Sequence, residues 1–354
     1  MALGKHKLNW YQLNMNYFTL LISAILSFLI ASAASASCLV FNENERLSNF
    51  CLLESVKGKI IDKNTAALVT QKLKREGYFG GLKKSDWSTS FYPVFDYSND
   101  INGGNPNKPL VLGGMVFDGD PELIRQEGVI ATLNLRASNR STLGSGKYFQ
   151  TNVSGSYSFS PEHKNGFSNA SINACYKNKL TSQNFLDICA SASNQKKEIS
   201  ESNNKSLSLA LSNLSFNNDV GFSEGQIRVK RIGNDSYIQN QLAISLDTIH
   251  KQKFFSTLRL RKGEPVDSQI ALNYGLDLSL SRIIKNRKYS LSIGQEYRDG
   301  GMLLGVDRSD LANTISLNAM INANTRIRVG YTSNNSTIDY YDQGYPSINL
   351  TYNW

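Results

Sequence analysis

Apolar and polar residues alternate along much of this chain with a period of two. In the last ten residues, Tyr345 to Trp354, the side chains of Ile348, Leu350, Tyr352 and Trp354 share one face, and Ser347, Asn349, Thr351 and Asn353 share the other. Successive side chains of a strand point to opposite sides, so the pattern predicts a strand with one apolar and one polar face, separating two different media. Residues 147 to 159 repeat it, setting Phe149, Val153, Tyr157 and Phe159 against Gln150, Asn152, Ser154 and Ser156. Residues 270 to 280 carry it without a break: Ile270, Leu272, Tyr274, Leu276, Leu278 and Leu280 oppose Ala271, Asn273, Gly275, Asp277 and Ser279. Such runs have the roughly 9–11 residues that a tilted membrane-spanning strand needs.

The pattern yields fourteen candidate strands: 88–97, 128–138, 147–159, 167–179, 185–193, 203–215, 222–232, 236–248, 253–262, 268–281, 286–297, 312–322, 325–333 and 345–354. The count is even, as closure with both ends on one side requires, and 12–16 strands are compatible with the pattern. Leu110 to Phe117 would make a fifteenth, but Gly113-Gly114 and the parity place it in a long first surface loop. Connection lengths alternate. Those at 98–127, 194–202, 298–311 and 334–344 are long, and Ala323-Asn324, Arg282 to Lys285, Ile249 to Gln252 and Leu180 to Asn184 are tight. Gly233 to Asp235 and Ser138 to Gly146 break that alternation. The expected fold class is all-β, a transmembrane antiparallel β-barrel of about 14 strands with a short N-terminal periplasmic helical segment. A soluble sandwich also alternates within strands but gives no reason for alternating turn lengths.

The amino terminus supplies the expected address. Lys5 and Lys7 precede the apolar run Phe18 to Ile30, and Ala34-Ser35-Ala36 follows as a cleavage site, so residues 1–36 read as a secretory signal peptide. The alternative, acylation of Cys38, lacks the usual Leu three residues earlier. Residues 37–86 form a small periplasmic segment, with a helix from Thr65 to Glu76 capped by Asn64 and stopped by Gly77. Residues 87–354 form the barrel, placed in the outer membrane. Removing Lys5 and Lys7 with the leader takes the formal charge from +9 to +7. A hydrophobic content of 40% and a mean hydropathy of −0.33 exclude a helical membrane protein, yet suit a barrel whose strands are half polar.

The register fixes what faces the lumen. Arg136, Arg228, Lys230, Arg259, Arg261, Arg326 and Arg328 fall on the polar face, against Asp277 and Glu296. Either this excess focuses a positive field on passing ions, giving an anion-favouring channel, or the arginines pair with loop acids or fill a closed lumen. The four cysteines of an exported chain predict disulfides, with Cys38 to Cys51 and Cys175 to Cys189 preferred among the three pairings. The second pair stands symmetrically about residue 182 on the inward face. No metal, cofactor or nucleic acid is called for. His163 and His250 fall at opposite ends, so Ser160, Glu162 and His163 read as a solvated loop, and Asp118-Gly119-Asp120 and Asp299-Gly300-Gly301 as turns rather than calcium sites. No enzyme is expected.

Three resemblances add to this. The alternation ending on Trp354 resembles the carboxy-terminal signal of Gram-negative outer-membrane β-barrels, which implies that Ile348, Leu350, Tyr352 and Trp354 are read by the barrel assembly machinery. Val69 to Gly81 resembles peptidoglycan-binding repeats, but the preferred reading is an amphipathic helix packed at a barrel mouth. Residues 88–104, Ser-Thr-Ser-Phe-Tyr-Pro-Val-Phe-Asp-Tyr-Ser-Asn-Asp-Ile-Asn-Gly-Gly, resemble the first barrel strand of surface lipoprotein assembly modifiers, although that family's tetratricopeptide repeats have no room in residues 38–86. The expected function is a passive channel for small solutes, anions among them, with outer-membrane lipid as its surroundings. The alternatives are an assembly or export factor delivering a protein to the cell surface, and a surface-binding barrel with a closed lumen.

Overall fold

A computed structural model describes residues 38, 43–57, 63–76, 85–106, 109–112, 114–285, 287–322 and 324–352, all within one compact unit. The proposed leader, Gly77 to Gly81 and Trp354 lie outside the described residues.

The alternating segments become strands. In chain order they are β1 Ser85–Ser98, β2 Leu110–Leu112, β3 Met115–Phe117, β4 Gly128–Gly144, β5 Lys147–Ser160, β6 Asn165–Lys179, β7 Asn184–Lys196 and β8 Glu201–Asn217. There follow β9 Gly221–Asn234, β10 Ile238–His250, β11 Phe254–Gly263, β12 Ala271–Ile284, β13 Arg287–Leu303, β14 Val306–Met320, β15 Thr325–Ser336 and β16 Gln343–Tyr352. All but β2 and β3 form a closed antiparallel barrel of fourteen strands, in which each strand pairs with its chain neighbour and β1 closes on β16, with Val94 opposite Thr351 and Asp96 opposite Asn349. Closure gives every barrel strand a partner on both sides, the β1–β16 seam running over Val94–Asp96 and Asn349–Thr351. β2 and β3 form a separate hairpin in the 99–127 connection, where the sequence placed a surface loop.

The outward face carries Phe91, Phe95, Leu133, Leu135, Val153, Tyr157, Leu207, Leu209, Ile227, Val229, Leu258, Leu260, Ile348 and Leu350, all exposed. The inward face is rich in Ser, Asn, Gln and Arg. A soluble barrel would bury its apolar face, so this distribution is inside out.

Four sequence expectations need correction. The 194–202 connection is not long: β7 runs to Lys196 and β8 starts at Glu201, with Lys196 paired to Glu201 across a four-residue turn. Residues 298–311 are not a long loop: β13 and β14 continue to Leu303 and Val306 and meet in a two-residue turn, because Arg298–Leu303 still pairs with Val306–Asp310 across a bulge. The connection expected from Ser138 to Gly146 shrinks likewise, since β4 runs to Gly144, and one apparent exception to short turns at that end disappears. The alternation of 270–280 is interrupted by a bulge between Leu272 and Tyr274, where Leu272 pairs with Arg298 and Tyr274 with Tyr297. One extra residue flips parity. Ile270 and Leu272 therefore face the lumen, while Tyr274 and Leu276 remain outside.

The chain before the barrel adds α1, Glu45–Val56, and α2, Lys63–Glu76. The second starts two residues before the expected helix; the first was not foreseen. Asn44 caps α1 by accepting from the Leu47 N–H at 3.0 Å. One face of α1 packs inside the barrel: Leu47, 0% exposed, and Cys51 cluster with Tyr148, Phe185, Leu214, Ile249 and Phe255. These barrel residues lie beside the turns at 145–146, 180–183, 218–220 and 251–253, so α1 occupies the tight-turn end of the lumen. Cys38 and Cys51 are joined, with Cα atoms 5.6 Å apart, which leaves no Cys38 thiol for acylation. By the chain-entropy estimate this cross-link contributes about 3 kcal/mol. Cys175 and Cys189 are joined directly across the β6–β7 pair.

Gly221 opens β9 with φ 129°, and a Cβ there would lie 2.2 Å from the Ile249 carbonyl oxygen. A Gly221→Val substitution should break the close approach of β9 and β10; the expected result is a lower yield of the compact, heat-modifiable form on unheated gels.

Candidate functional site: a basic lumen floored by a helix

Four consecutive residues at the start of α1 spread across the lumen. Glu43 pairs with Lys288 on β13. Asn44 donates to Glu224 on β9 at 2.8 Å and to Asp247 on β10 at 2.7 Å. Glu45 accepts from Arg140 on β4 at 2.8 Å. Arg46 donates from one terminal nitrogen to both carboxylate oxygens of Asp187 on β7, at 2.8 and 2.9 Å, and from the other to Glu224 at 2.9 Å, while its guanidinium carbon lies 4.5 Å from the centre of the Phe185 ring. Arg46, Asp187 and Glu224 are all buried. Five strands thus hold one helix terminus, and the carboxylates of Glu224 and Asp247 stand beside its positive end.

Beyond this floor, toward the long connections, lies a cavity of about 450 Å³. Its basic side is built on adjacent strands. β9 presents Gln226, Arg228 and Lys230; β10 presents Ser245, Ala243 and Gln241 opposite them; β11 presents Arg259, Arg261 and Gly263 opposite those. Small side chains on the middle strand leave a trough between two basic columns. Neighbouring strands are about 4.8 Å apart, so the columns stand roughly 10 Å apart at the backbone, within reach of long side chains leaning inward.

The charges in this cavity are unequally matched. Arg261 lies over Gly275, whose missing side chain makes room for it, and binds Asp277 at 3.1 Å and Glu296 at 3.2 Å. Arg298 also binds Glu296, at 2.5 Å. Arg228 donates to Gln226 at 2.8 Å, and among the described residues no carboxylate pairs with Arg228, Lys230 or Arg259. Five cations against Asp277 and Glu296 leave three positive charges in excess. Away from the trough, Ile232, Tyr237, Ile270 and Leu272 line the cavity, the last two turned inward by the β12 bulge.

The structure therefore gathers Arg228, Lys230, Arg259, Arg261 and Glu296 around one cavity and places Asp277 against Arg261. Arg136 sits elsewhere, in a smaller depression with Tyr92, Asn134 and Ser156. Arg326 and Arg328 lie on β15, in register with Thr351 and Asn349 of β16, and Arg328 donates to Ser316 at 3.4 Å. Of the terminal apolar residues, Ile348, Leu350 and Tyr352 are exposed on β16. His163 meets the Glu127 carbonyl in one connection and His250 the Ser256 hydroxyl at the other end of the barrel. Sequence reasoning missed Arg298, which has the parity of Glu296 and would have been found had the strand been carried one residue further. It also missed Arg46, Asp187, Glu224 and Asp247, whose roles depend on a helix that was not foreseen.

These features define a closed fourteen-stranded barrel with an internal helix and a basic lumen. No family model and no curated protein matches the chain. Among solved structures, a Rhodopseudomonas blastica porin triple mutant superposes with a TM-score of 0.40 at 6% identity, covering 76% of this chain and 100% of that one. Pseudomonas aeruginosa OccK1 superposes with a TM-score of 0.42 at 9% identity, covering 76% and 98%. Likenesses this distant carry nothing about cargo, and the functional reading rests on the lumen itself.

Removing the Arg46 side chain leaves Asp187 and Glu224 facing each other in a buried site, a change expected to cost about 3–5 kcal/mol. In Arg46→Ala, α1 should leave its seat while the barrel stays closed. Limited proteolysis followed by reduction should then cut within residues 43–57, which the unaltered chain protects; equal protection in both would show that the apolar cluster alone holds the helix.

Proposed function

We propose that the chain is an outer-membrane β-barrel that passes small solutes, with anions favoured, through a lumen narrowed at its tight-turn end by α1. The supporting observation is the pairing of an apolar outer face with an inner cavity whose Arg228, Lys230 and Arg259 form no ion pair with an acid among the described residues. A low-dielectric wall lined by one sign of charge raises the local concentration of the opposite ion. The role assigned to the protein is binding and passage, not covalent chemistry.

The second reading is a closed barrel acting through its surface. It draws on the helix itself, which is anchored to five strands and occupies one end of the lumen. Delivery of a protein partner, the expectation attached to the assembly-modifier resemblance, draws on residues 88–104 alone and is the weaker reading.

The deciding measurement is single-channel conductance of the purified chain in a planar bilayer under a salt gradient. Steady openings with an anion-favouring reversal potential are expected, and the Arg228→Glu, Arg259→Glu double variant should move that potential toward cations. A folded barrel that never conducts would favour the surface-binding reading.

A further inference from the structure

We infer that the lumen cavity is a binding site for a phosphomonoester carrying a small apolar or weakly polar body. The inference deepens the anion reading of the same lumen and rests on it. It is carried by how the cavity divides. One part, on the two strands that flank β10, offers Arg228, Lys230 and Arg259, which form no ion pair with an acid among the described residues; the rest offers Ile232, Tyr237, Ile270 and Leu272.

The basic side selects for charge. An anion with a single negative charge would leave two of the three cations facing one another without compensation. A dianionic phosphoryl group brings its charge on three terminal oxygens, enough to accept from Arg228, Lys230 and Arg259 together, and such charge-assisted bonds are the strong ones. Arg228 is preset for this role because Gln226 holds one of its N–H groups at 2.8 Å. Arg261 and Arg298 are engaged by Asp277 and Glu296, which leaves Arg228, Lys230 and Arg259 to meet the ligand.

The apolar side selects against a bare oxyanion. At about 450 Å³ the cavity is larger than an inorganic phosphate needs. Its wall is apolar because the bulge between Leu272 and Tyr274 turns two residues inward that regular alternation would have sent to the outer face. Leu272 is 7% exposed. An apolar wall beside three cations is the pattern of a site that holds the charged head at one end and the organic body at the other.

The test is equilibrium dialysis of the full chain, folded in detergent, against phenyl phosphate, inorganic phosphate and benzoate. Phenyl phosphate should bind at least fivefold more tightly than inorganic phosphate and at least tenfold more tightly than benzoate. The triple variant Arg228→Gln, Lys230→Gln, Arg259→Gln should lose tenfold or more for both phosphates. Ile270→Ser, which keeps every charge and lies outside the strands, should lose threefold or more for phenyl phosphate and leave inorganic phosphate unchanged; this variant decides the matter if the triple variant does not fold. Benzoate binding as tightly as phenyl phosphate, or an Ile270→Ser effect equal on both phosphates, would overturn the assignment. Binding needs no conduction, so the two readings fail separately. A conducting barrel that binds neither phosphate sinks the site alone, whereas a silent barrel with the expected binding sinks the channel alone.

Discussion

Closing fourteen strands on themselves gives each strand two partners but creates an interior too wide for wall side chains to fill. Barrels of about 8 strands are plugged by their own side chains, and those of 16–18 leave an aqueous channel. This chain lies between the two. The space demands either water or an inserted element, and the sequence supplies a helix. From that constraint follow the buried face of α1, the need to satisfy the polar groups it meets, and a cavity that begins where the helix stops.

One strand displays the consequence. Along the inward face of β9 come Phe222, Glu224, Gln226, Arg228, Lys230 and Ile232: an apolar residue against the helix, an acid that holds it, a neutral spacer, two bases, and an apolar rim. At about 3.3 Å per residue the acid and the first base are roughly 13 Å apart at the backbone. Acids used to seat the helix are thereby kept from the bases of the cavity. Where acids do enter the cavity, as with Asp277 and Glu296, they bind Arg261 and Arg298 and leave Arg228, Lys230 and Arg259 without an ion pair among the described residues. The lumen is zoned along its axis.

The barrel was legible because its signal is local. A period of two in β5, β12 or β16 can be read without knowing the partner strand, whereas turn lengths were a weaker guide, because strands that run on past their expected ends reduce the 194–202 and 298–311 connections to tight turns. The charged residues of the wall were legible for the same reason, since parity alone assigns Arg228, Lys230, Arg259 and Arg261. What escaped depends on partners far away in sequence. In α1, Arg46, Ser48 and Asn49 are buried alongside Leu47, Cys51 and Leu52, so its inserted face is not an apolar stripe, and nothing in residues 45–56 alone marks it as a core helix. The bulge in β12 escaped for another reason. Ile270 and Leu272 continue the alternation perfectly, and only the pairing of Leu272 with Arg298 shows that the rule has been broken.

The ionic contacts of α1 are better understood as a registry device than as a source of stability. A buried ion pair recovers little beyond its desolvation cost, and a well-packed apolar replacement is often as stable. The cluster around Leu47 and Cys51 and the Cys38–Cys51 disulfide already favour the docked helix. Apolar contacts alone, however, tolerate sliding and rotation, because many placements of a Leu in a greasy end-ring are nearly equivalent. Fixing Glu43, Asn44, Glu45 and Arg46 to β13, β9 with β10, β4 and β7 allows only one rotation and one depth. That depth sets where the floor of the cavity lies, and so how deep the lumen extends from the long connections before it meets protein.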